Sequence, residues 1–462
     1  MSEFLILTLG CKLNQLESEA VSDAFSQAGF KQITENKLTD PPAFVIINTC
    51  TVTSKADQKA RRVIRKALRD YPDSRVFVTG CYAQLNKDDL LKLDPNYKPN
   101  SDDFRRTQRL FVINKADILS LPVHLKNIET NNDISHFSLL SPHSSFPDSL
   151  FAFNPRHFSA HTRSFLKIQD GCDKHCTYCR IRLARGSSVS LAAEEVLARL
   201  RILEQDHAEV VLTGVNISQY GEHRTENKEQ FTVCGLAELL DYLLSGTDKI
   251  AIRLSSLAPE SVDEKLAKVL THKRIRPHFH LSIQSGSKKI LERMGRDYNA
   301  QTIEKAADLL RSAKNDPFLA CDIITGFPGE AEAEFEQTLS LCRKLDLAWI
   351  HVFPYSKRPG TPAFSFQDCV AESETTRRVR LLTDLAEHGR SAYVQRWLGR
   401  EVEVLTETSK PQEGSRGVSD NYLKLLIRCK NKTPSPGEVL KCEITEIGDF
   451  LSYDAIAQMV RV

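Results

Sequence analysis

Short apolar runs alternate with amphipathic stretches along the first part of the chain. Runs at residues 4–9, 44–47 and 75–78 predict strands, and helical patterns near 15–28 and 55–69 lie between them. This repetition predicts a parallel sheet with right-handed crossovers. Cys11, Cys50 and Cys81 each follow one of these strands. Since ligands of parallel sheets sit beyond the carboxyl ends of the strands, we expect the three cysteines to lie together.

A second series of strands and helices begins near residue 164. Parallel strands with helices between them predict a partial (β/α)6 barrel, with ligands at the carboxyl-terminal mouth. The predicted strands are 165–168, 209–212, 250–254, 279–283, 319–324 and 349–353. The predicted helices are 191–205, 234–244, 261–270, 302–314 and 332–345.

The end of the chain has a different pattern. A long helix is predicted at 369–397, and short strands separated by Gly, Pro, Asn and Ser follow it, which is typical of a small β-barrel. The fold class is therefore α/β, with a parallel-sheet domain, a partial barrel and a terminal β-barrel. We place these domains at 1–130, 161–395 and 396–462, with a linker at 131–160.

Composition narrows the class of protein. The 462 residues are 41% hydrophobic and 26% charged, as in ordinary globular proteins, and the net charge of +2 means that any nucleic-acid surface must be local. No apolar run approaches the roughly 20 residues of a membrane span, and the start of the chain lacks a signal-peptide pattern, so we expect a cytoplasmic protein with no membrane partner. In that compartment the twelve cysteines favour metal binding over disulfides wherever they cluster.

The strongest chemical signal is the loop that carries Cys172, Cys176 and Cys179. Three thiolates at spacings of four and three can hold one cubane iron–sulfur cluster and leave one iron open for a chelating ligand. The alternative interpretations are a zinc loop or three buried core cysteines.

This spacing, with Tyr178 before the last cysteine, resembles the radical S-adenosylmethionine superfamily. The resemblance implies that the open iron binds the amino and carboxylate groups of S-adenosylmethionine, whose reductive cleavage gives a 5′-deoxyadenosyl radical. We expect Tyr178 to contact this cofactor. Polar or Gly-bearing clusters at the predicted barrel mouth suggest further contacts at Gly214, Ser255, Gln284 and Asp322, although each of these four could be a strand cap or turn former.

Nearly the whole chain resembles the methylthiotransferases. The residues that carry the resemblance include Thr8-Leu9-Gly10-Cys11, Asn48-Thr49-Cys50 and Thr79-Gly80-Cys81. In that family the three cysteines hold a second cluster, so the resemblance implies two [4Fe–4S] clusters. The alternative is that Cys11, Cys50 and Cys81 are small core residues. One departure is Arg182, which stands where the family has a proline, although Arg185-Gly186 is kept.

The residues after Cys11 (Lys-Leu-Asn) and after Cys50 (Thr-Val-Thr) resemble the branch that acts on N6-threonylcarbamoyladenosine in tRNA. The resemblance implies replacement of the C2 hydrogen by a methylthio group, with one S-adenosylmethionine supplying the methyl group and another the radical. Because the C2–H of adenine is too weakly acidic for a side-chain base, we expect no catalytic group beyond the cluster ligands.

The implied partners are the tRNA anticodon loop and an electron donor such as flavodoxin or ferredoxin, and a monomer is expected. The terminal β-barrel resembles the TRAM-like RNA-binding module of these enzymes, and the basic helix near residues 55–69 is a candidate phosphate-binding surface or simply a solvated face. The alternatives are methylthiolation of another tRNA adenosine or of a ribosomal-protein aspartate, and a non-catalytic iron–sulfur RNA-binding protein.

Overall fold

The computed structural model describes residues 2–35, 40–98, 107–131, 150–155, 158, 162–221, 235–408, 414–429 and 433–460. The chain divides into two compact units. The first contains residues 1–158, 170–173 and 179–188, and the second contains 159–169, 174–178 and 189–462. Most of the predicted linker at 131–160 lies outside the described residues.

The first unit is built on a parallel sheet with the strand order β2-β1-β3-β4-β5. Its strands are β1 (Glu3–Thr8), β2 (Lys31–Ile33), β3 (Phe44–Thr49), β4 (Arg75–Gly80) and β5 (Leu110–Val112). Its main helices are α1 (Lys12–Gln27), α2 (Ser54–Asp70), α3 (Cys81–Leu85), α4 (Lys87–Leu91) and α5 (Leu121–Asn131). The predicted parallel sheet is confirmed, while β2 and β5 were not predicted because three residues are too few to show a period.

Apolar side chains cover both faces of this sheet. On one face Val45 and Ile47 pack with Ile64 of α2, and on the other Phe44 and Phe77 pack with aromatic side chains of α1 and its neighbours. Every residue of β3 is buried. Burial on both faces explains why the strands read as continuous apolar runs and not as an alternation.

Three short strands and a short helix flank the cysteine loop in sequence. They are β6 (Ser164–Lys167), β7 (Gln169–Asp170), α6 (Ile181–Arg185) and β8 (Val189–Ser190), of which β6 belongs to the barrel described next.

The second unit contains the predicted partial barrel. After β6, the strands are β9 (Glu209–Thr213), β10 (Ala251–Leu254), β11 (His278–Gln284), β12 (Phe318–Thr325) and β13 (Trp349–Pro354). They pair in parallel as β6-β9-β10 and β11-β12-β13, and a bridge between Leu257 and Leu281 connects the two groups. The helices are α7 (Ala193–Asp206), α8 (Leu236–Gly246), α9 (Glu264–Leu270), α10 (Lys288–Met294), α11 (Ala300–Ala313) and α12 (Glu332–Lys344). The open six-stranded barrel is confirmed, and α10 is an additional helix.

The predicted long helix and terminal β-barrel complete the second unit. Helix α13 (Glu372–Trp397) leads into the closed barrel. The strands of that barrel are β14 (Glu401–Glu407), β15 (Ser415–Ser419), β16 (Lys424–Arg428), β17 (Val439–Ile447) and β18 (Ala455–Met459). Tyr393 and Trp397 of α13 share one apolar core with Phe318 of β12 and with the terminal barrel. Among the helices that the structure describes, none combines the length and apolar character needed to cross a membrane.

Candidate metal centre

Three cysteines of the first unit lie at the carboxyl ends of adjacent strands. Cys11 follows β1 and precedes α1, Cys50 directly follows β3, and Cys81 begins α3 after β4. Cys50 and Cys81 are buried, while Cys11 is exposed. Burial raises the pKa of Cys50 to about 11, and the nearby Cys11 and Cys81 thiols act in the same direction. The sheet therefore brings the three thiols into one neighbourhood that opens to solvent at Cys11.

Two glycines make this close approach possible. Gly10 has a φ of 112°, and a Cβ there would lie 2.5 Å from Cys50 Cβ. Gly80 has a φ of 96°, and a Cβ there would lie 2.3 Å from the carbonyl oxygen of Thr49. A larger residue at either position would meet both an unfavourable backbone conformation and a clash.

Asparagine and threonine side chains hold the cysteine-bearing strand ends together. Asn14 Nδ2 donates to the carbonyl oxygens of Leu9 at 2.8 Å and Thr49 at 3.0 Å. Asn48 Nδ2 donates in return to the carbonyl oxygen of Asn14 at 2.9 Å. Thr49 Oγ1 donates to the carbonyl oxygen of Thr79 at 2.6 Å. These buried hydrogen bonds fix the first, second and third cysteine segments relative to one another.

A buried charge cluster, formed by Glu17, Lys115, Asp170 and Arg185, surrounds Cys81. Arg185 Nε donates to Cys81 Sγ at 3.3 Å, and Lys115 Nζ lies 3.7 Å from the same sulfur. Lys115 contacts both carboxylate oxygens of Glu17 at 2.9 Å. Arg185 Nη1 contacts Glu17 at 2.9 Å and the two oxygens of Asp170 at 3.0 and 3.1 Å.

Sequence reasoning did not identify the charge cluster as part of the site. Arg185 matches the family motif without indicating a charge cluster, and nothing in the sequence near Lys115 connects it with Glu17, which lies 98 residues away. Burial acts to lower the pKa of Arg185, but Asp170, Cys81 and Glu17 raise it overall, so the guanidinium stays charged beside the sulfur.

The cysteine loop contributes residues to both units. In the first unit, the Cys172 amide donates to the carbonyl oxygen of Gly186 at 3.1 Å, and the Ile181 amide donates to Cys179 Sγ at 3.4 Å. In the second unit, the amide of Thr177, next to Cys176, donates to the carbonyl oxygen of Met294 at 2.9 Å. All three cysteines are partly exposed.

The departure at Arg182 has a structural counterpart. Its Nη1 donates to the carbonyl oxygen of Asp173 at 3.3 Å, within the first unit. A side-chain bond to the loop backbone thus stands where the family has the rigid ring of a proline.

Tyr178 packs inside the second unit. Its hydroxyl accepts from Arg296 Nη2 at 2.9 Å, and its ring lies edge-on to Phe327 at 6.3 Å. Two residues after Arg296, burial raises the pKa of Tyr298, whose hydroxyl donates to the carbonyl oxygen of Ser282 at 2.7 Å. These contacts assign Tyr178 a packing role in addition to any contact with a cofactor.

The other predicted cofactor contacts follow neighbouring strands of the partial barrel. Gly214 follows β9, and a Cβ there would lie 2.9 Å from the carbonyl oxygen of Gln169. Ser255 follows β10, and its amide donates to the carbonyl oxygen of Leu212 at 3.0 Å.

Gln284 ends β11 beside an irregularity in strand pairing, with a φ of 67°. A positive φ is uncommon for a residue other than glycine and is frequent at functional sites. Asp322 lies within β12 and not at its end, and its Oδ1 is 3.0 Å from His280 Nε2. The His280 ring in turn stacks on His351 at 5.2 Å.

Comparisons with known proteins decide the family. The profile of the radical SAM superfamily matches residues 166–342, and that of uncharacterized protein family UPF0004 matches residues 3–98. The threonylcarbamoyladenosine tRNA methylthiotransferase MtaB of Treponema pallidum is 40% identical, over 91% of this chain and 94% of that protein. The chain belongs to the radical S-adenosylmethionine tRNA methylthiotransferases. MtaB of Bacillus subtilis is 32% identical, over 96% of this chain and 93% of that protein.

A solved structure of a radical enzyme agrees with the fold of this methylthiotransferase. The radical S-adenosylmethionine methyltransferase TsrM from Kitasatospora setae, with cobalamin and a [4Fe–4S] cluster bound, aligns with a TM-score of 0.50 and 14% identity. The alignment covers 79% of this chain and 77% of that chain. At this identity the likeness supports the fold alone.

The donors present fit an iron–sulfur cluster better than a single ion. In the described part of the methylthiotransferase, no three or more His, Cys, Asp or Glu side chains converge as ligands of one metal ion. A cubane cluster has a different requirement, because each thiolate binds its own iron and the sulfurs stay apart. The partly exposed cysteines of the loop, and a second set of cysteines beside a buried guanidinium, meet that requirement. As a radical enzyme of this family, the chain uses an iron–sulfur cluster and S-adenosylmethionine.

Proposed function

We propose that this enzyme converts N6-threonylcarbamoyladenosine, next to the tRNA anticodon, into its 2-methylthio derivative. The observation that carries the proposal is the convergence of Cys11, Cys50 and Cys81 at one edge of the parallel sheet. A radical enzyme that only abstracts hydrogen or transfers a methyl group has no need of a second thiol set (Cys11, Cys50 and Cys81) in addition to the cysteines of the loop. An enzyme that inserts sulfur does need a place to hold it. The nucleoside itself is supported by the names of relatives that match over nearly the whole chain.

Each set of cysteines has its own role in this proposal. Cys172, Cys176 and Cys179 hold a [4Fe–4S] cluster with an open iron. When bound, this cluster and S-adenosylmethionine supply a 5′-deoxyadenosyl radical that removes the C2 hydrogen. Cys11, Cys50 and Cys81 hold a second [4Fe–4S] cluster, which makes two per chain.

In this proposal the other side chains of the site position S-adenosylmethionine. Tyr178, Gly214, Ser255, Gln284 and Asp322 are the proposed S-adenosylmethionine contacts. The strained backbone of Gln284 and the contact between Asp322 and His280 give two of these side chains a defined direction. No side-chain acid or base is required for removal of a hydrogen atom.

Helix α2 is the proposed contact with the tRNA backbone. Lys55, Lys59 and Arg62 are exposed and spaced so that they form one stripe along the helix. None of them forms an ion pair with a residue that the structure describes, whereas Lys66, further along, pairs with Glu35 and Asp70. Unpaired cations in a row suit a phosphate backbone. The helix begins four residues after Cys50, so RNA bound there would lie near the second thiol set.

Methylthiolation of another tRNA adenosine, or of a ribosomal-protein aspartate, would use the same two cysteine sets. A non-catalytic iron–sulfur RNA-binding protein would bind tRNA without consuming S-adenosylmethionine. We infer that the electron donor is a flavodoxin or ferredoxin and that the enzyme acts as a monomer.

One anaerobic experiment separates these functions. The reconstituted enzyme, S-adenosylmethionine, a strong reductant and tRNA are incubated together, and the tRNA either carries or lacks the threonylcarbamoyl group. We expect 5′-deoxyadenosine and 2-methylthio nucleoside only with the modified tRNA. Equal product from both tRNAs would overturn the nucleoside assignment, and no 5′-deoxyadenosine with either would overturn the enzymatic role.

The same preparation tests the two clusters. We expect about eight irons per wild-type chain and about four in either triple Cys→Ala variant, at 11/50/81 or at 172/176/179. About four irons in the wild-type chain, all lost in the 172/176/179 variant, would overturn the second cluster.

A further inference from the structure

Packing alone does not explain why four charged side chains are buried together beside Cys81. Four ionisable side chains are taken out of water there, and Arg185, Glu17 and Asp170 are each 2–3% exposed. Buried ion networks of this kind contribute little net stability, because desolvation offsets the attraction between charges. A retained network of four charges therefore points to a function at the site.

The direction of the guanidinium donors is informative. An arginine that only stabilises a fold usually presents its fork to one carboxylate through two nitrogens. Here a single nitrogen, Nη1, serves both Glu17 and Asp170, while Nε donates to the Cys81 sulfur. Nη2 is buried and has no hydrogen-bond partner among the residues that the structure describes. Two of the three guanidinium nitrogens are thus directed at the sulfur or left available beside it.

The net charge of the cluster also supports a role beside the Cys81 sulfur. The two cations and the two carboxylates cancel, so the cluster of side chains is neutral before any thiolate is counted. Lys115 holds Glu17 through both oxygens and also reaches Cys81 Sγ, which keeps a second positive charge near that sulfur. Among the described residues, no cationic side chain donates to Cys11 Sγ, whose contact is with Asn14 Oδ1 at 3.7 Å.

We propose that Arg185 is a positioning residue for the second cluster, which holds the Cys81 sulfur through Nε–H and offers Nη2–H to a further anionic sulfur at the same site. Glu17 and Asp170 hold the guanidinium in that orientation, and Lys115 holds Glu17. This inference rests on the proposed second cluster. Hydrogen bonds to cluster sulfurs favour the reduced, more negative state, so removing the donor makes reduction of the cluster harder.

The test uses a parent protein in which Cys172, Cys176 and Cys179 are all replaced by Ala, so that only the second cluster is observed. In this parent, Arg185→Lys keeps the positive charge but cannot hold the sulfur and both carboxylates together. Arg253→Lys is the matched control, because Arg253 is fully buried and binds the Glu209 carboxylate at 2.7 and 3.1 Å, and it contacts no cysteine among the described residues. Iron content and the electron paramagnetic resonance signal are followed during a reductive titration.

We expect the Arg185→Lys protein to bind as much iron as the parent. At a fixed applied potential, its ratio of reduced to oxidised cluster should fall roughly threefold to tenfold, as for loss of one ordinary hydrogen bond. The Arg253→Lys protein should match the parent in both measurements. An Arg185→Lys titration that superimposes on the parent, with iron in place, would overturn this inference and leave the proposed function intact.

If Arg185→Lys unfolds, the pair Arg185→Gln with Asp170→Asn removes one charge of each sign and keeps a neutral hydrogen-bonded pair. The same fall in the ratio is expected, and an unchanged ratio again overturns the inference. A parent that binds no iron would overturn the second cluster and this inference with it.

Discussion

Gly80 shows how a single residue shapes the second thiol set. It stands between β4 and Cys81, with a positive φ and with the Thr49 carbonyl where a side chain would begin. The strand can therefore end directly against its neighbour, and Cys81 enters a buried environment beside Cys50. The geometry of the cysteines depends on backbone packing as much as on the thiols themselves.

Replacing Gly80 with Ala should lower the free energy of unfolding by about 2–4 kcal/mol, because the φ penalty and the clash add. Gly29→Ala is the matched control: its φ is 85°, but a Cβ there would meet nothing within 4 Å. The control should lose only about 1–2 kcal/mol, the cost of the left-handed conformation alone. Urea denaturation measures both values, and equal losses would contradict the proposed close approach.

At the residue scale, the sequence predicts a site residue where a ligand-type side chain directly follows a predicted strand. Cys11, Cys50 and Cys81 could be located because each follows an apolar run, and parallel strands align their ends. Lys115 could not be located, because its place beside Cys81 depends on packing between segments far apart in sequence. Gln284 was proposed from its position at a strand end, but its strained φ is visible only in the structure.

Helix α2 is the element with the clearest division between its faces. Ala60, Ile64 and Ala67 pack on the sheet, while the basic stripe of Lys55, Lys59 and Arg62 faces solvent. Thr53 caps the helix by accepting from the Ala56 amide at 3.1 Å. Because packing uses only the apolar face, the charges of the stripe can be altered without disturbing the fold.

The double variant Lys59→Gln with Arg62→Gln should weaken tRNA binding. We expect the slope of log affinity against log salt concentration to fall by about 2, because two phosphate contacts are lost. The matched control is Lys305→Gln with Lys344→Gln, which removes two exposed lysines that pair with Glu264 and Glu304. Filter binding at several salt concentrations measures both, and equal slopes in the two double variants would contradict the assignment of α2.

Sequence periodicity located the long elements and missed the short ones. Strands such as β3 and β12 were predicted because several consecutive apolar residues are buried. The strands β2 and β5 were not predicted because each has only three residues. The effect of Arg182 was also beyond prediction, since its bond to the Asp173 carbonyl depends on how the loop folds back.

At the scale of the whole molecule, the two units have distinct contents. The first holds the parallel sheet with Cys11, Cys50 and Cys81, together with Arg185 from a later segment of the chain. The second holds the partial barrel, and its terminal β-barrel packs on the same core through Tyr393 and Trp397. The boundary proposed near residue 396, between the partial barrel and the terminal β-barrel, thus falls at the end of α13. Side chains of this helix pack against both barrels.

Fold class and family could be predicted from the sequence because the motifs extend along nearly the whole chain. The arrangement of the charge cluster could not, because burial of four charges follows from packing and not from a local pattern. The number of clusters and the identity of the nucleoside are chemical questions, and they call for a chemical measurement.

The most direct measurement is nucleoside mass spectrometry of tRNA from cells with and without this gene. We expect deletion to remove the 2-methylthio derivative and N6-threonylcarbamoyladenosine to accumulate. Wild-type protein should restore the modification, whereas Cys81→Ala and Cys176→Ala should each fail to do so. A nucleoside profile that is unchanged by the deletion, or restoration by either cysteine variant, would contradict the account.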